Sequence, residues 1–194
     1  MRPKTFATLG PAGSNHDLNT RRYIEFHGLQ DARVVFIEDF FEALARMKSG
    51  EVDFMIQVCA HPNVALTIEH DYKDIFLVDS FIGTTKAMGV LTRAEVQTPR
   101  SLGYMIATRG YFDVSRWPER HEIVSNSAVA QGLLEGRFDS GFTAIELAQQ
   151  HPGRFRIDQT IGEVDVVWLV YGKERVNRTM LAWRDAPVRA QLIA

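Results

Sequence analysis

Hydrophobic and polar positions alternate along this chain in a repeating strand-then-helix rhythm. Residues 5–9 (TFATL) read as a strand running into Gly10, Pro11 and Gly13. Ser14 to His27 reads as a helix with Leu18, Tyr23 and Phe26 on one face and Gly28 as its stop. Arg33 to Ile37 is a second strand. Asp39 and Glu42 then form a capping-box pattern before a helix whose stripe is Phe41, Leu44 and Met47 and whose end is Gly50. Val52 to Val58, nearly all apolar, has the pattern of a strand covered on both faces. This β-α-β-α-β order predicts a right-handed parallel unit.

The second half repeats the order. Leu102 to Ala107 is a strand, Arg109 to Trp117 a helix, His121 to Val124 a strand, and Ser125 to Glu135 a capped helix. Two punctuations match: SGEVDFMI at 49–56 and EGRFDSGF at 135–142, each a glycine stop followed by an aspartate that opens an apolar strand. Asp74 to Thr92 holds two β-like runs broken near Gly83, and Val164 to Tyr171 is a late apolar strand. The expected fold is α/β, with two similar lobes joined by two crossing strands, the arrangement of type II periplasmic-binding-protein folds. One lobe takes residues 1–81 plus 161–194, the other 82–160, with a ligand cleft between them at the carboxyl ends of the strands. The tail from Glu174, with Trp183 and Pro187, is polar and carries no reading of its packing.

Bulk properties narrow the partners. A net charge of −2 over 194 residues gives no reason to expect nucleic acid or an anionic membrane. No apolar run approaches the ~20 residues of a membrane-spanning helix, and no apolar signal core follows the first residues. One cysteine, Cys59, has no internal partner, which favours a reducing, cytoplasmic setting.

The candidate chemistry lies in the strand-end loops. In TLGPAGSNHD (8–17), glycines allow close approach of a ligand, Ser14 or Asn15 caps the helix, and the helix terminus favours an anion. Thr85 and Lys86 lie on a crossing strand; Thr108 and Arg109 open the second lobe, where a guanidinium suits a carboxylate; Ser125 and Ser127 flank the next cap. For each of these turns a solvated-surface role is the alternative. VCAHP (58–62) brings Cys59 and His61 together, and His16 sits in the opening loop. Either imidazole could act as general acid or base, and Cys59 as a nucleophile were its pKa lowered; a packed thiol and a hydrogen-bonded histidine are the alternative. No metal-ligand spacing is present, so neither a metal nor a cofactor is expected.

The opening LGPAGSNHD, the SGEVDFMI segment, SNSAVAQGLLEGRFDSGFTAIELA and the late VVWLVYGKE resemble, in the same order and over about residues 5–173, the catalytic domain of prephenate dehydratases. The family's Glu-Asn-Ser segment is replaced by Ala60-His61-Pro62. Its Thr-Arg-Phe motif, which supplies a catalytic hydroxyl and a carboxylate-binding cation, is replaced by Val166-Val167-Trp168. In size and character the chain is more similar to the prephenate decarboxylase branch of the bacilysin-pathway type, which also lacks that motif. No regulatory ACT domain is expected. The resemblance implies a cofactor-independent lyase or isomerase acting on a small cyclic or unsaturated carboxylic acid, such as prephenate or a related dicarboxylate. In it, Ser14, Asn15, Thr85, Lys86, Thr108, Arg109, Ser125 and Ser127 would bind substrate, and His61, His16 or Cys59 would do the chemistry. A non-catalytic small-acid binder or sensor on the same scaffold is the alternative. A homodimer is compatible with either.

Overall fold

The structure, a computed structural model, describes residues 2–176; Trp183 and Pro187 lie outside the described residues. β1 (Thr5–Leu9), β2 (Arg33–Ile37) and β3 (Phe54–Val58) pair in parallel, linked by α1 (Asn15–Phe26) and α2 (Phe40–Ser49). α3 (Val64–His70) leads to β4 (Phe76–Thr84), after which the chain passes into a second sheet at β5 (Met88–Arg93). There β6 (Ser101–Tyr104), β7 (Glu119–Glu122) and β8 (Ser140–Ala144) form another parallel set. α4 (Asn126–Leu134) precedes β8, and α5 (Glu146–Gln150) precedes β9 (Phe155–Gly162); β10 (Asp165–Gly172) then returns to the first sheet.

The sheet orders are β2-β1-β3-β10-β4 and β7-β6-β8-β5-β9. They are equivalent: each has three parallel strands, then an antiparallel strand that has just arrived from the other lobe, then an edge strand. This is the two-lobed α/β fold with two crossings.

Local chemistry explains the duplication. Asp39 Oδ1 accepts the Glu42 amide at 2.9 Å to start α2, and Gly50, at φ 82°, ends it in a left-handed turn. Gly136, at φ 72°, follows α4 in the same conformation. The aspartates after these glycines then do one job in both lobes. Asp53 Oδ2 accepts the amide of Thr5 at 2.9 Å, and Asp139 Oδ2 accepts those of Arg100 and Ser101 at 2.8 and 3.1 Å. Each aspartate thus ties the start of the third strand to the start of the first.

The first sheet is covered on one face by α2, through Phe40, Leu44 and Met47 against Ala7 and Met55. On its other face Phe6, Ile56, Trp168 and Val170 pack with Tyr23 and Ile24 of α1. In the second lobe Val129 and Leu133 of α4 pack with Leu91, Phe138 and Phe155.

Two expected helical readings change. Residues 109–117 do not form a helix: after a 3₁₀ turn at Ile106–Thr108, a second at Val114–Arg116 stands there, because Asp113 accepts the Ser115 amide and hydroxyl and so competes with helical bonding. Phe112 and Trp117 of this stretch are nonetheless core residues. On α1, Phe26 is 75% exposed, while Asp17, Asn19 and Thr20 are buried. That helix buries polar groups alongside Tyr23 and Ile24: Asn19 Nδ2 donates to the Thr84 carbonyl at 3.0 Å. No helix among the described residues is long and apolar enough to cross a membrane.

Candidate functional site

Parallel strands carry their following loops at their carboxyl ends, and in both lobes these ends face one cleft of about 750 Å³. Its first-lobe wall comes from the turn after β1 (Leu9, Gly10, Pro11), the turn after β2 (Phe36 to Phe40) and the loop after β3 (His61, Pro62, Asn63). The facing wall is Met105 and Ile106 after β6, and Ile123, Val124 and Ser125 between β7 and α4.

His61 is the titratable imidazole on this surface. Its ring packs edge-on against Phe40, with centroids 4.9 Å apart, and its Nδ1 accepts the Asn63 amide at 3.2 Å. That bond places the neutral ring's proton on Nε2. Partial burial lowers its pKa below the usual histidine value, so at pH 7 the ring is uncharged and offers Nε2–H as a donor. Its role as a base is restricted, because the lone pair is already engaged.

His16 is not among the lining residues. Its ring stands edge-on to Trp168 at 5.1 Å and tilted against Phe40 at 5.9 Å. Some of the residue remains exposed, but Nε2 is buried and has no partner among the described residues. Burial, with the nearby His61 in second place, lowers its pKa to about 3. Cys59 is exposed, and its amide donates to the Val167 carbonyl at 2.9 Å, fastening the start of the His61 loop to β10.

Most of the remaining expected ligand contacts are occupied within the chain. Ser14 Oγ accepts the Asp17 amide, and the Gly13 amide donates to Asp17 Oδ2 at 2.8 Å, so the glycine-rich loop holds the chain's own carboxylate. Asn15 Oδ1 accepts the Lys86 amide at 2.7 Å. Thr85 Oγ1 accepts the Val164 amide at 3.1 Å and joins the two crossings. Lys86 Nζ pairs with Glu146 at 2.6 Å. Thr108 is buried and donates to the Met105 carbonyl. Arg109 is exposed beyond the lining residues. Ser125 caps α4 by accepting the Ala128 amide and also lines the cleft; Ser127 lies in the helix's first turn, half-buried.

The cleft therefore brings His61 and Ser125 to one surface and holds His16, Cys59 and Lys86 outside its lining. The sequence reading missed Glu38, Asn63 and the apolar wall of Met105, Ile106, Ile123 and Val124. Their signal was positional, since each lies in a loop that follows a strand. Glu38 and Asp39 are its acidic lining residues, and no lysine or arginine belongs to the described lining. Among the described residues no group of three or more His, Cys, Asp or Glu is placed to hold a metal ion.

No family model matches the chain, and no curated protein matches it in sequence. Solved structures do match it. A prephenate dehydratase from Arthrobacter aurescens, determined in complex with L-Phe, gives a TM-score of 0.65 at 17% identity, over 90% of this chain and 63% of that one. GqqA, described as a novel type of quorum-quenching acylase, gives 0.59 at 11% identity, over 92% of this chain and 67% of that one. The periplasmic VFT2 domain of Bordetella pertussis BvgS gives 0.54 at 11% identity, over 87% of this chain and 80% of that one. The chain thus spans under two thirds of the dehydratase's length. At these identities the likeness concerns architecture: the chain has the two-lobed α/β fold of type II periplasmic-binding proteins, the fold it shares with a prephenate dehydratase.

Proposed function

We propose that this protein takes up a small organic acid with an apolar body between its lobes and acts on it as a cofactor-independent lyase. The observation that carries this reading is His61: a half-buried, uncharged imidazole with Nε2–H as its donor, on a cleft whose apolar walls come from both lobes. When an unsaturated or β-keto acid loses carbon dioxide, the carbon–carbon bond breaks and its electron pair moves into the conjugated system. A donor fixed in a desolvated site stabilises the charge that develops there. Lobe closure would exclude water and orient the leaving carboxylate.

The second reading is a non-catalytic binder or sensor. It is favoured by Val166 and Val167, which follow Asp165 at the start of β10 beside the His61 loop and carry neither hydroxyl nor charge. One experiment separates the two. The protein is incubated with prephenate and with a panel of unsaturated mono- and dicarboxylic acids, while ultraviolet spectrum, released carbon dioxide and melting temperature are followed. Lyase activity predicts carbon dioxide release or a spectral change with at least one acid. Stabilisation without turnover supports the binder, and neither effect with any acid ends both readings.

A further inference from the structure

Phe40 stands at a junction that the reading of His61 does not yet use. It is 1% exposed and packs in the first-lobe core with Ala7, Leu44 and Met55, yet it also lines the cleft. It is the first residue of α2, and the Asp39 cap fixes its backbone. Two imidazoles pack on its ring: His61 at 4.9 Å and 82°, and His16 at 5.9 Å and 45°. His16 also meets Trp168, whose indole N–H donates to the Gly83 carbonyl at 3.2 Å, so both aromatic neighbours of His16 are held in place.

The two imidazoles differ in what they offer. The His61 amide donates to the Val58 carbonyl at 3.1 Å, and its Nδ1 accepts the Asn63 amide. A ring held by one hydrogen bond can still tilt about it, and an aromatic neighbour set edge to face removes that freedom. His16 Nε2 is buried and has no partner among the described residues. Rigid apolar packing keeps water from such a nitrogen, and on the cleft side that packing includes Phe40. Glu38 and Asp39 share the His61 wall, but burial is what lowers the pKa of His61 and the main cause of the lowering at His16.

We infer that Phe40 is a positioning residue of the cleft: its ring holds His61 with Nε2–H toward the ligand and shuts His16 Nε2 off from it, so that one imidazole meets the ligand rather than two. This rests on the proposed role of His61 and adds the residue that enforces it.

The test follows the histidine rings of the full chain by nitrogen-15 NMR across a pH titration, with His61→Ala and His16→Phe to assign the signals. In the parent chain His61 should carry its proton on Nε2 and titrate below 6.5, while His16, with a pKa of about 3, stays neutral throughout. Phe40→Leu keeps an apolar side chain in the core but removes the ring. It should move His61 toward 6.5 and raise His16 by more than about one unit, as water reaches both. Phe41→Leu removes the neighbouring ring of the same helix, which packs on His70 at 5.2 Å, and should move neither. If either imidazole keeps its parent titration in Phe40→Leu, or Phe41→Leu moves both as far, Phe40 is packing alone and the inference is wrong. The parent chain also decides without any variant: a His61 proton on Nδ1, or titration of His16 in the ordinary histidine range, would overturn it. With any acid that is turned over, Phe40→Leu should lower kcat about tenfold and leave KM within about threefold, whereas a change in KM alone would contradict positioning. Failure to turn over any acid would remove the lyase reading, and the ring titrations would still decide what Phe40 does to the two imidazoles.

Discussion

The side chain of Asn15 accepts the backbone amide of Lys86 at 2.7 Å, joining the first turn of α1 to the segment by which the chain leaves the first lobe. On the other side of that segment the Lys86 ammonium pairs with Glu146 of α5, in the second lobe. One residue is thus held through its amide by one lobe and through its side chain by the other. Removing the acceptor with Asn15→Ala leaves a part-buried amide unpaired and should cost about 1–3 kcal/mol. Lys86→Ala breaks a partly exposed ion pair and should cost at most about 1 kcal/mol. Urea unfolding of both variants should show that order. A larger loss for Lys86→Ala would mean that its charge, rather than its amide, holds the crossing.

His16 carries a pH dependence whose sign follows from its environment. Its pKa is about 3 in the folded chain against 6.5 when unfolded, with burial as the main cause. Between those values the unfolded state binds the additional proton, so stability falls as pH drops below about 6.5 and goes on falling toward 3. At pH 5 the penalty is up to about 2 kcal/mol. His16→Phe should therefore flatten the stability profile between pH 7.5 and 5, measured as urea midpoints. An unchanged slope would show that the ring is already charged, or solvated, in the folded protein.

Prephenate should not be converted to phenylpyruvate. The positions that would supply a hydroxyl and a guanidinium in the dehydratase motif are Val166 and Val167, and the latter's carbonyl is engaged with the Cys59 amide. Absorbance of phenylpyruvate in alkali checks this. For any acid that is turned over, His61→Ala should lower kcat by about 10²-fold or more, as removal of a fixed donor does. Cys59→Ser should leave kcat within about twofold of the parent chain, a change of under about 0.5 kcal/mol in the barrier. The reverse ranking would move the chemistry to the thiol.

How far the sequence disclosed this molecule depended on the kind of interaction. Local backbone chemistry was legible: the Asp39 cap, the left-handed Gly50 and the repeat that sets Asp53 and Asp139 in equivalent positions all follow from short-range rules. The buried face of α1 was not, because Thr20 is buried and Asn19 is bonded to a crossing segment more than sixty residues away, and a search for apolar stripes selects Phe26 instead. β7 was displaced in the reading because Glu119–Glu122 is a fully exposed, charged edge strand without apolar alternation. The acidity of the cleft was hidden for a related reason. Asp39 was read only as a helix cap and Glu38 not at all, and only the approach of the second lobe makes that turn part of a cleft wall.

The central claim, that a small molecule is held between the two lobes, is tested most directly by amide chemical-shift titration of the full chain with L-phenylalanine and with 3-phenylpropanoate. The account predicts that one or both shift amides on both walls, including Gly10, Phe40 and His61 in the first lobe and Ile106, Ser125 and Ser127 in the second, with a common dissociation constant. Shifts confined to one lobe, or centred instead on the separate 320 Å³ cavity at Arg93, Gly136 and Arg154, would contradict it.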